Sequence, residues 1–119
     1  MYSIKPGEIV PEMEELGTVA DLGATILEGE AKVSGLLTHG SPDSPVSAGW
    51  FGCTQGRFDM VYPFTEQATV VTGEVTLRNG LTGEAVRYRA GDSWFVQKGT
   101  PVTWEIHTER FVKHYFAVA

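Results

Sequence analysis

Short runs of β-branched and aromatic residues, each interrupted by glycine or proline, constrain the fold of this chain most strongly. Fourteen glycines and six prolines divide the 119 residues, and runs bounded in this way are typical of β-strands. Many short strands joined by glycine turns indicate an all-β sandwich or closed barrel. The predicted strands are ATILEG, KVSGLLTH, SAGWFGCT, RFDMVYP, QATVVTGEVTLRN, EAVRYRA, SWFVQ, PVTWEIHT and RFVKHYFAV.

Two other segments have a distinct local pattern. PEMEELGTVADL, residues 11–22, is the one stretch with helical character, and NGLTG, residues 79–83, predicts a hairpin turn between two strands.

Length and charge limit what the chain can form and bind. We expect one domain with a real core at this length. The formal net charge of −6 and the scattered lysines and arginines argue against nucleic acid and anionic membranes as partners. The N-terminus lacks a hydrophobic signal core and Cys53 has no cysteine partner, so we expect a cytoplasmic location.

The last predicted strand has two alternating faces. The set that contains His114 is mostly apolar, which predicts that it faces the core, with His114 half-buried and Lys113 pointing the other way. The two sets are Phe111, Lys113, Tyr115 and Ala117 on one face, and Val112, His114, Phe116 and Val118 on the other.

Spaced glycines and one glutamate resemble the motifs of the cupin superfamily. Gly56, Glu66 and Gly73 match the first motif, while Gly91 and Gly99 match the second. From about residue 26 onward, the segments ILEGEAKVSG, AGWFGCTQGRF, TEQATVVTGEVTL, AGDSWFVQKGT and VTWEIHTERFVKHYF are similar to a cupin subfamily. That subfamily includes the ureidoglycine aminohydrolases and the ethanolamine-utilisation protein EutQ.

This resemblance implies a fold and an assembly. The implied fold is a cupin-type jelly-roll β-barrel, a double-stranded β-helix, over residues 26–119, with residues 1–25 as a short N-terminal arm of the same domain. Small cupins of this kind commonly pair, so the resemblance also implies a homodimer, which exposed aromatic residues on so small a barrel would favour.

The histidines of the metal-binding cupin motif are absent. Depending on the alignment, their positions fall on residues between Asp59 and Phe64, none of them histidine, and Val102 stands at the downstream position. Because metal cupins use imidazoles with one carboxylate, we expect no tightly bound metal and no cofactor. Glu66 with Asp59 could hold a weakly bound divalent cation. In the alternative, Glu66 is an inward polar residue held by hydrogen bonds to Tyr, Trp or Arg.

The remaining polar candidates have simpler interpretations. His39 and His107 are expected at the surface, and Cys53 is expected to be a small buried hydrophobe. Aromatic residues around Glu66 would line a cavity for a small organic ligand, or would fill the barrel. The resemblance implies that Lys113 pairs with a carboxylate or a ligand. The predicted ligand-binding residues are Asp59, Tyr62, Glu66, Trp104, Lys113 and Tyr115.

Three functional hypotheses follow. The first is a cupin that binds a small molecule without a tight metal. The second is an enzyme acting on a small nitrogenous metabolite, as the resemblance to ureidoglycine aminohydrolases suggests, with Glu66 as general acid or base. The third is a structural or partner-binding module with a filled barrel.

Overall fold

The computed structural model describes residues 1–5, 7 and 9–119, and the folded part of the chain is almost entirely β-structure. A 3₁₀ helix at Val19–Leu22 is its one helical turn among these residues. The strands are β1 (Glu14–Thr18), β2 (Thr25–Gly29), β3 (Lys32–His39), β4 (Val46–Val61), β5 (Thr65–Thr72), β6 (Glu74–Asn79), β7 (Ala85–Arg89), β8 (Ser93–Val96) and β9 (Pro101–Val118).

Two long antiparallel strands, β4 and β9, are shared by two sheets. One sheet has the order β1-β3-β4-β9-β5-β8, and the other contains β2, β4, β9, β6 and β7. The register of the β4–β9 pair shifts between Thr54 and Gly56, and such an irregularity bends a strand. The bend lets each strand continue from one sheet into the other. The predicted all-β jelly roll is therefore confirmed.

The strand boundaries differ from the predicted runs in three places. SAGWFGCT and RFDMVYP form the single strand β4, and the last two runs form the single strand β9. Gly73, with a φ of 83°, divides QATVVTGEVTLRN into β5 and β6. NGLTG joins β6 to β7 as a hairpin, as predicted.

The helical prediction for residues 11–22 is wrong over its central part. Glu14 and Glu15 pair with Ser34 and Gly35 at the edge of β3, so tertiary pairing overrides local propensity. The 3₁₀ helix follows directly, and the Thr18 hydroxyl caps it by accepting from the backbone N–H of Ala20. The predicted N-terminal arm thus contributes β1 and this turn to the fold.

The prediction for the two faces of β9 is also wrong. Phe111, Lys113 and Ala117 are buried in the interior. On the other face Val112 is buried as well, but Phe116 and Val118 are exposed. The N-terminal arm covers part of the outer face of β9, which accounts for the apolar residues there. The Tyr2 ring stacks on His114, with ring centroids 5.8 Å apart. His114 is half-buried as expected, but on the outer side.

Candidate functional site

Glu66 is the most deeply buried carboxylate of the described residues, with an exposed fraction of 1%. Alternation along β5 directs Glu66, Ala68 and Val70 inward and leaves Gln67 and Thr69 exposed. Trp94 on β8 and Lys113 on β9 point into the same interior from the two neighbouring strands.

Three donors satisfy the Glu66 carboxylate. The Tyr62 hydroxyl donates to Oε2 at 2.6 Å, and the Trp94 indole N–H donates to the same oxygen at 3.2 Å. Lys113 Nζ donates to Oε1 at 2.5 Å. We call Tyr62, Glu66, Trp94 and Lys113 the Glu66 cluster. Since a buried charge needs a partner and hydrogen bonds, the cluster meets the condition under which such a pair is tolerated.

Five aromatic rings surround the Lys113 ammonium, and we call them the aromatic cage. A cation within about 6 Å of a ring centroid is attracted by the negative face of the ring. The distances from Nζ to the ring centroids are 5.0 Å for Phe51, 5.0 Å for Trp104, 5.4 Å for Trp94, 5.6 Å for Tyr115 and 5.8 Å for Tyr62.

Burial and the local charges perturb the titration of these groups. Burial lowers the pKa of Lys113 below its usual value, and the adjacent Glu66 carboxylate opposes that shift. Burial, followed by the charge of Glu66, raises the pKa of Tyr62 well above its usual value. Tyr62 therefore keeps its proton at neutral pH and acts as a hydrogen-bond donor to Glu66.

A cavity of about 220 Å³ ends at the Glu66 cluster. Tyr62 and Trp94 line it, while Glu66 and Lys113 lie behind them. Its other walls are apolar or aromatic at six positions and polar at four, one of which is a carboxylate. The remaining lining residues are Leu77, Asn79, Thr82, Glu84, Val86, Tyr88, Phe95, Val96, Thr100 and Val102.

A larger depression of about 580 Å³ does not border the cluster. It lies along β2, β4 and β9, and Glu28, Glu30, Glu105 and Glu109 contribute to its lining. Arg57 forms an ion pair with Glu28 at 2.9 Å. The depression is thus an acidic, solvent-facing surface rather than part of the buried constellation.

Most of the predicted ligand-binding residues meet in one place, but Asp59 does not. Tyr62, Glu66 and Lys113 are in direct contact, and the rings of Trp104 and Tyr115 flank the lysine. Asp59 is exposed and accepts a hydrogen bond from the Thr103 hydroxyl at 2.6 Å. The two carboxylates expected to share a weak cation therefore lie on different sides of the sheet.

Two residues of the cluster and cage were absent from the sequence-based site. Trp94 binds Glu66 and Phe51 covers Lys113, yet neither occupies a motif position. The pairing of Ala68 with Trp94 brings that indole beside Glu66, a long-range register that strand alternation alone does not give. The sequence does predict the residue type, since tryptophan is among the residues expected to donate a hydrogen bond to Glu66, but it does not identify Trp94 as that residue.

The chain's histidines lie away from the cluster. His107 Nε2 is 2.7 Å from the Thr76 hydroxyl, and His114 Nε2 is 3.0 Å from the Thr38 hydroxyl on the outer face. His39 is exposed, as predicted. Within the described part of the chain, no three His, Cys, Asp or Glu side chains are grouped to hold a metal ion.

The residues around Glu66 do not fit the divalent metal that the cupin fold implies. Such a metal needs several imidazole or carboxylate ligands, and Glu66 is the one carboxylate of the cluster. Tyr62 and Trp94 present hydrogen-bond donors to it, and the Lys113 ammonium binds its other oxygen.

A jelly roll with a glutamate in its interior is the architecture of a cupin. The sequence model of the EutQ-like cupin domain matches residues 40–115, more than half of the chain. This protein belongs to the EutQ-like cupin family. No curated protein sequence matches it.

Solved structures agree with this fold. The Clostridium difficile EutQ protein is similar with a TM-score of 0.62 and 18% identity, over 74% of this chain and 68% of that chain. A putative ethanolamine utilization protein Q from Salmonella typhimurium LT2 has a TM-score of 0.61 and 19% identity, over 94% of this chain and 98% of that chain.

A DUF861-family protein of unknown function from Pseudomonas syringae pv. tomato has a TM-score of 0.77 and 16% identity. The alignment covers 92% of this chain and 45% of that longer chain. At these identities the likeness concerns the fold alone.

In residues 1–5, 7 and 9–119, no helix has the length and apolar character that crossing a membrane would require.

Proposed function

We propose that this cupin binds a small organic molecule, without a tightly held metal, in the cavity that ends at Tyr62 and Trp94. The observation that carries the proposal is the position of these two side chains. Each lines the cavity and each donates a hydrogen bond to Glu66. The charged pair behind them thereby fixes the cavity floor, which is the preorganisation that a binding site needs.

The size and lining of the cavity support a metabolite-sized ligand. A water molecule takes about 30 Å³ of liquid volume, so 220 Å³ corresponds to about seven waters. Walls that are mostly apolar with a few polar groups are typical of small-molecule sites. Glu84 and the ring of Tyr88 favour a neutral or cationic ligand over an anion.

A ligand screen with a blocked variant tests this proposal. Thermal unfolding would be followed with a panel of small amines, amides and alcohols; ethanolamine belongs in it because one similar structure is named for ethanolamine utilization. Val86→Trp should fill the cavity, and Leu27→Trp on β2 is a matched control outside it. We expect at least one compound to raise the melting temperature of the wild type and Leu27→Trp, but not of Val86→Trp. If no compound discriminates between the two variants, a filled, structural barrel replaces the proposal.

Elemental analysis checks the metal-free part of the proposal. Untagged protein, dialysed without chelator, is expected to contain zinc, iron and manganese far below one atom per chain. A stoichiometric amount of any of them would contradict it.

The Tyr62–Glu66 hydrogen bond supports a second candidate function, proton transfer to a ligand in the cavity. Tyr62 borders the cavity and its hydroxyl lies 2.6 Å from Glu66 Oε2, so a proton could pass between them and a bound substrate. Glu66→Gln keeps an acceptor for Lys113 but leaves its buried charge unbalanced, so circular dichroism first checks that this variant is folded. An enzyme would lose turnover of its substrate in this variant while still binding it; unchanged turnover would exclude Glu66 as acid or base.

A further inference from the structure

We propose that the aromatic cage with Glu66 is an organic-ammonium site, and that the chain's own Lys113 occupies it where metal-binding cupins hold their cation. The inference is independent of whether the neighbouring cavity binds a ligand. It concerns the interior behind the cavity floor, which the side chains of Glu66 and Lys113 fill.

The cage has the composition that binds ammonium groups. Rings at 5.0–5.8 Å face Nζ from several sides, and Glu66 Oε1 supplies the counter-charge at 2.5 Å. Recognition of an ammonium group by aromatic faces grows stronger when water is excluded. Here the exposed fractions of the Lys113 and Glu66 side chains are 6% and 1%.

The carboxylate is held independently of the lysine. Tyr62 and Trp94 both donate to Oε2, which leaves Oε1 to the ammonium. Removing Lys113 would therefore leave an oriented carboxylate inside the cage. A single carboxylate surrounded by rings fits an alkylammonium ion better than a transition metal, which needs more ligands.

The position along the sequence connects this site to the cupin cation. Glu66 stands where the metal-binding motif has its glutamate, and the motif's histidine positions are apolar, aromatic or, as at Asp59, directed outward. The interior thus retains a cation beside that glutamate, but the cation is covalently part of the chain.

Chemical rescue tests the proposal. Lys113→Ala removes the atoms Cγ, Cδ, Cε and Nζ, which are those of n-propylammonium, so this ion is the probe. The melting temperature of Lys113→Ala should rise with n-propylammonium chloride concentration, as ligand linkage requires, relative to equal sodium chloride. The uncharged analogue 1-propanol should have a smaller effect. The wild type and Lys32→Ala, which removes an exposed lysine paired with Glu30, should show no such rise.

Two results would overturn the proposal. One is a rise in Lys113→Ala no larger than in Lys32→Ala. The other is an equal effect of 1-propanol, which would indicate an apolar cavity without ammonium recognition.

A measurement on the wild type keeps the test valid if Lys113→Ala fails to fold. Protein labelled with ζ-15N-lysine gives few signals, because the other lysines are Lys5, Lys32 and Lys98, all exposed. At pH 7 we expect Lys113 to give an ammonium signal with slowly exchanging protons. A neutral amine, or a rapidly exchanging one like the surface lysines, would overturn the proposal.

Discussion

The two tryptophans beside Glu66 differ in one hydrogen bond. The Trp94 indole N–H donates to Glu66, whereas the N–H of Trp104 is buried without an acceptor on the described residues. The rings pack against each other, with centroids 5.7 Å apart. The two tryptophans therefore have the same ring size and are both buried, so comparing them tests the polar contact of Trp94.

Trp94→Phe should destabilise the protein more than Trp104→Phe. Both substitutions remove the same atoms, but Trp94→Phe also removes a donor from a buried carboxylate, a contact worth about 1.5–3 kcal/mol. The free energy of unfolding from urea titrations measures the difference. Equal losses, or a larger loss in Trp104→Phe, would mean that the Trp94 contact contributes nothing to stability.

Cys53 provides a pH-dependent test of the interior. Burial raises the pKa of this thiol from 9.0 to about 12, against an opposing effect of the Lys113 charge. Above pH 9 the unfolded chain loses the thiol proton while the folded chain keeps it. The thiol's contribution is thus fully present below pH 9 and is lost as pH rises toward 12.

The expected result is a difference between wild type and Cys53→Ala that changes with pH. About three pKa units correspond to at most ~4 kcal/mol, by which the wild type should lose its advantage between pH 9 and 12. Unfolding free energies of both proteins at several pH values measure this. Parallel curves for the two proteins would show that the thiol titrates normally in the fold.

At the residue level the sequence contained most of the site. The glutamate spacing identified Glu66, and the aromatic pattern identified Tyr62, Trp104 and Tyr115. The prediction for Asp59 is wrong because strand alternation puts it on the opposite face from Tyr62. Trp94 and Phe51 required the pairing of β5 with β8 and of β4 with β9, which one sequence does not specify.

The turn between β5 and β6 requires a glycine at position 73. Gly73 has a φ of 83°. A Cβ there would lie 2.6 Å from the Thr108 hydroxyl oxygen and would overlap the carbonyl oxygen of Arg110 on β9. Gly83, in the β6–β7 hairpin, has a φ of 76° with no atom within 4 Å of such a Cβ. An alanine at Gly83 would suffer backbone strain alone, whereas an alanine at Gly73 would suffer both backbone strain and steric overlap.

Gly73→Ala should be more destabilising than Gly83→Ala. Each pays about 1–2 kcal/mol for a left-handed backbone, and the overlap at Gly73 adds about 1–3 kcal/mol. Melting temperatures of both variants compare the costs. If the two melting temperatures are equal, β9 moves aside at no cost and the close contact does not define this turn.

The errors at the element level have physical causes. Residues 14–18 look helical locally, but edge pairing with β3 makes them a strand. The faces of β9 were exchanged because the outer face is apolar and the inner face contains Lys113, which hydropathy places outside. A buried charge becomes interpretable once its partner, Glu66, is known.

At the scale of the whole molecule, the outer face of the first sheet carries exposed aromatic residues. Cross-strand pairs align Ala48, Phe116, Gln67 and Phe95 in one row. The N-terminal arm covers the neighbouring row, where the Trp50 indole donates to the Tyr2 hydroxyl at 2.8 Å. Phe95 and Phe116 remain uncovered, with exposed fractions of 65% and 48%.

We therefore expect a homodimer that buries this face against a second copy. A two-fold contact uses the same patch twice, and a stable interface needs about 800 Å² from each partner. Light scattering after size exclusion should give twice the chain mass of 13.0 kDa.

Phe116→Glu should reduce the measured mass to that of one chain, because two carboxylates would face each other in an apolar contact. Leu81→Glu, at an exposed hydrophobic site in the β6–β7 hairpin, should leave the dimer intact. A wild type of single chain mass, or a dimer that Phe116→Glu does not affect, would show that the exposed phenylalanines serve another contact.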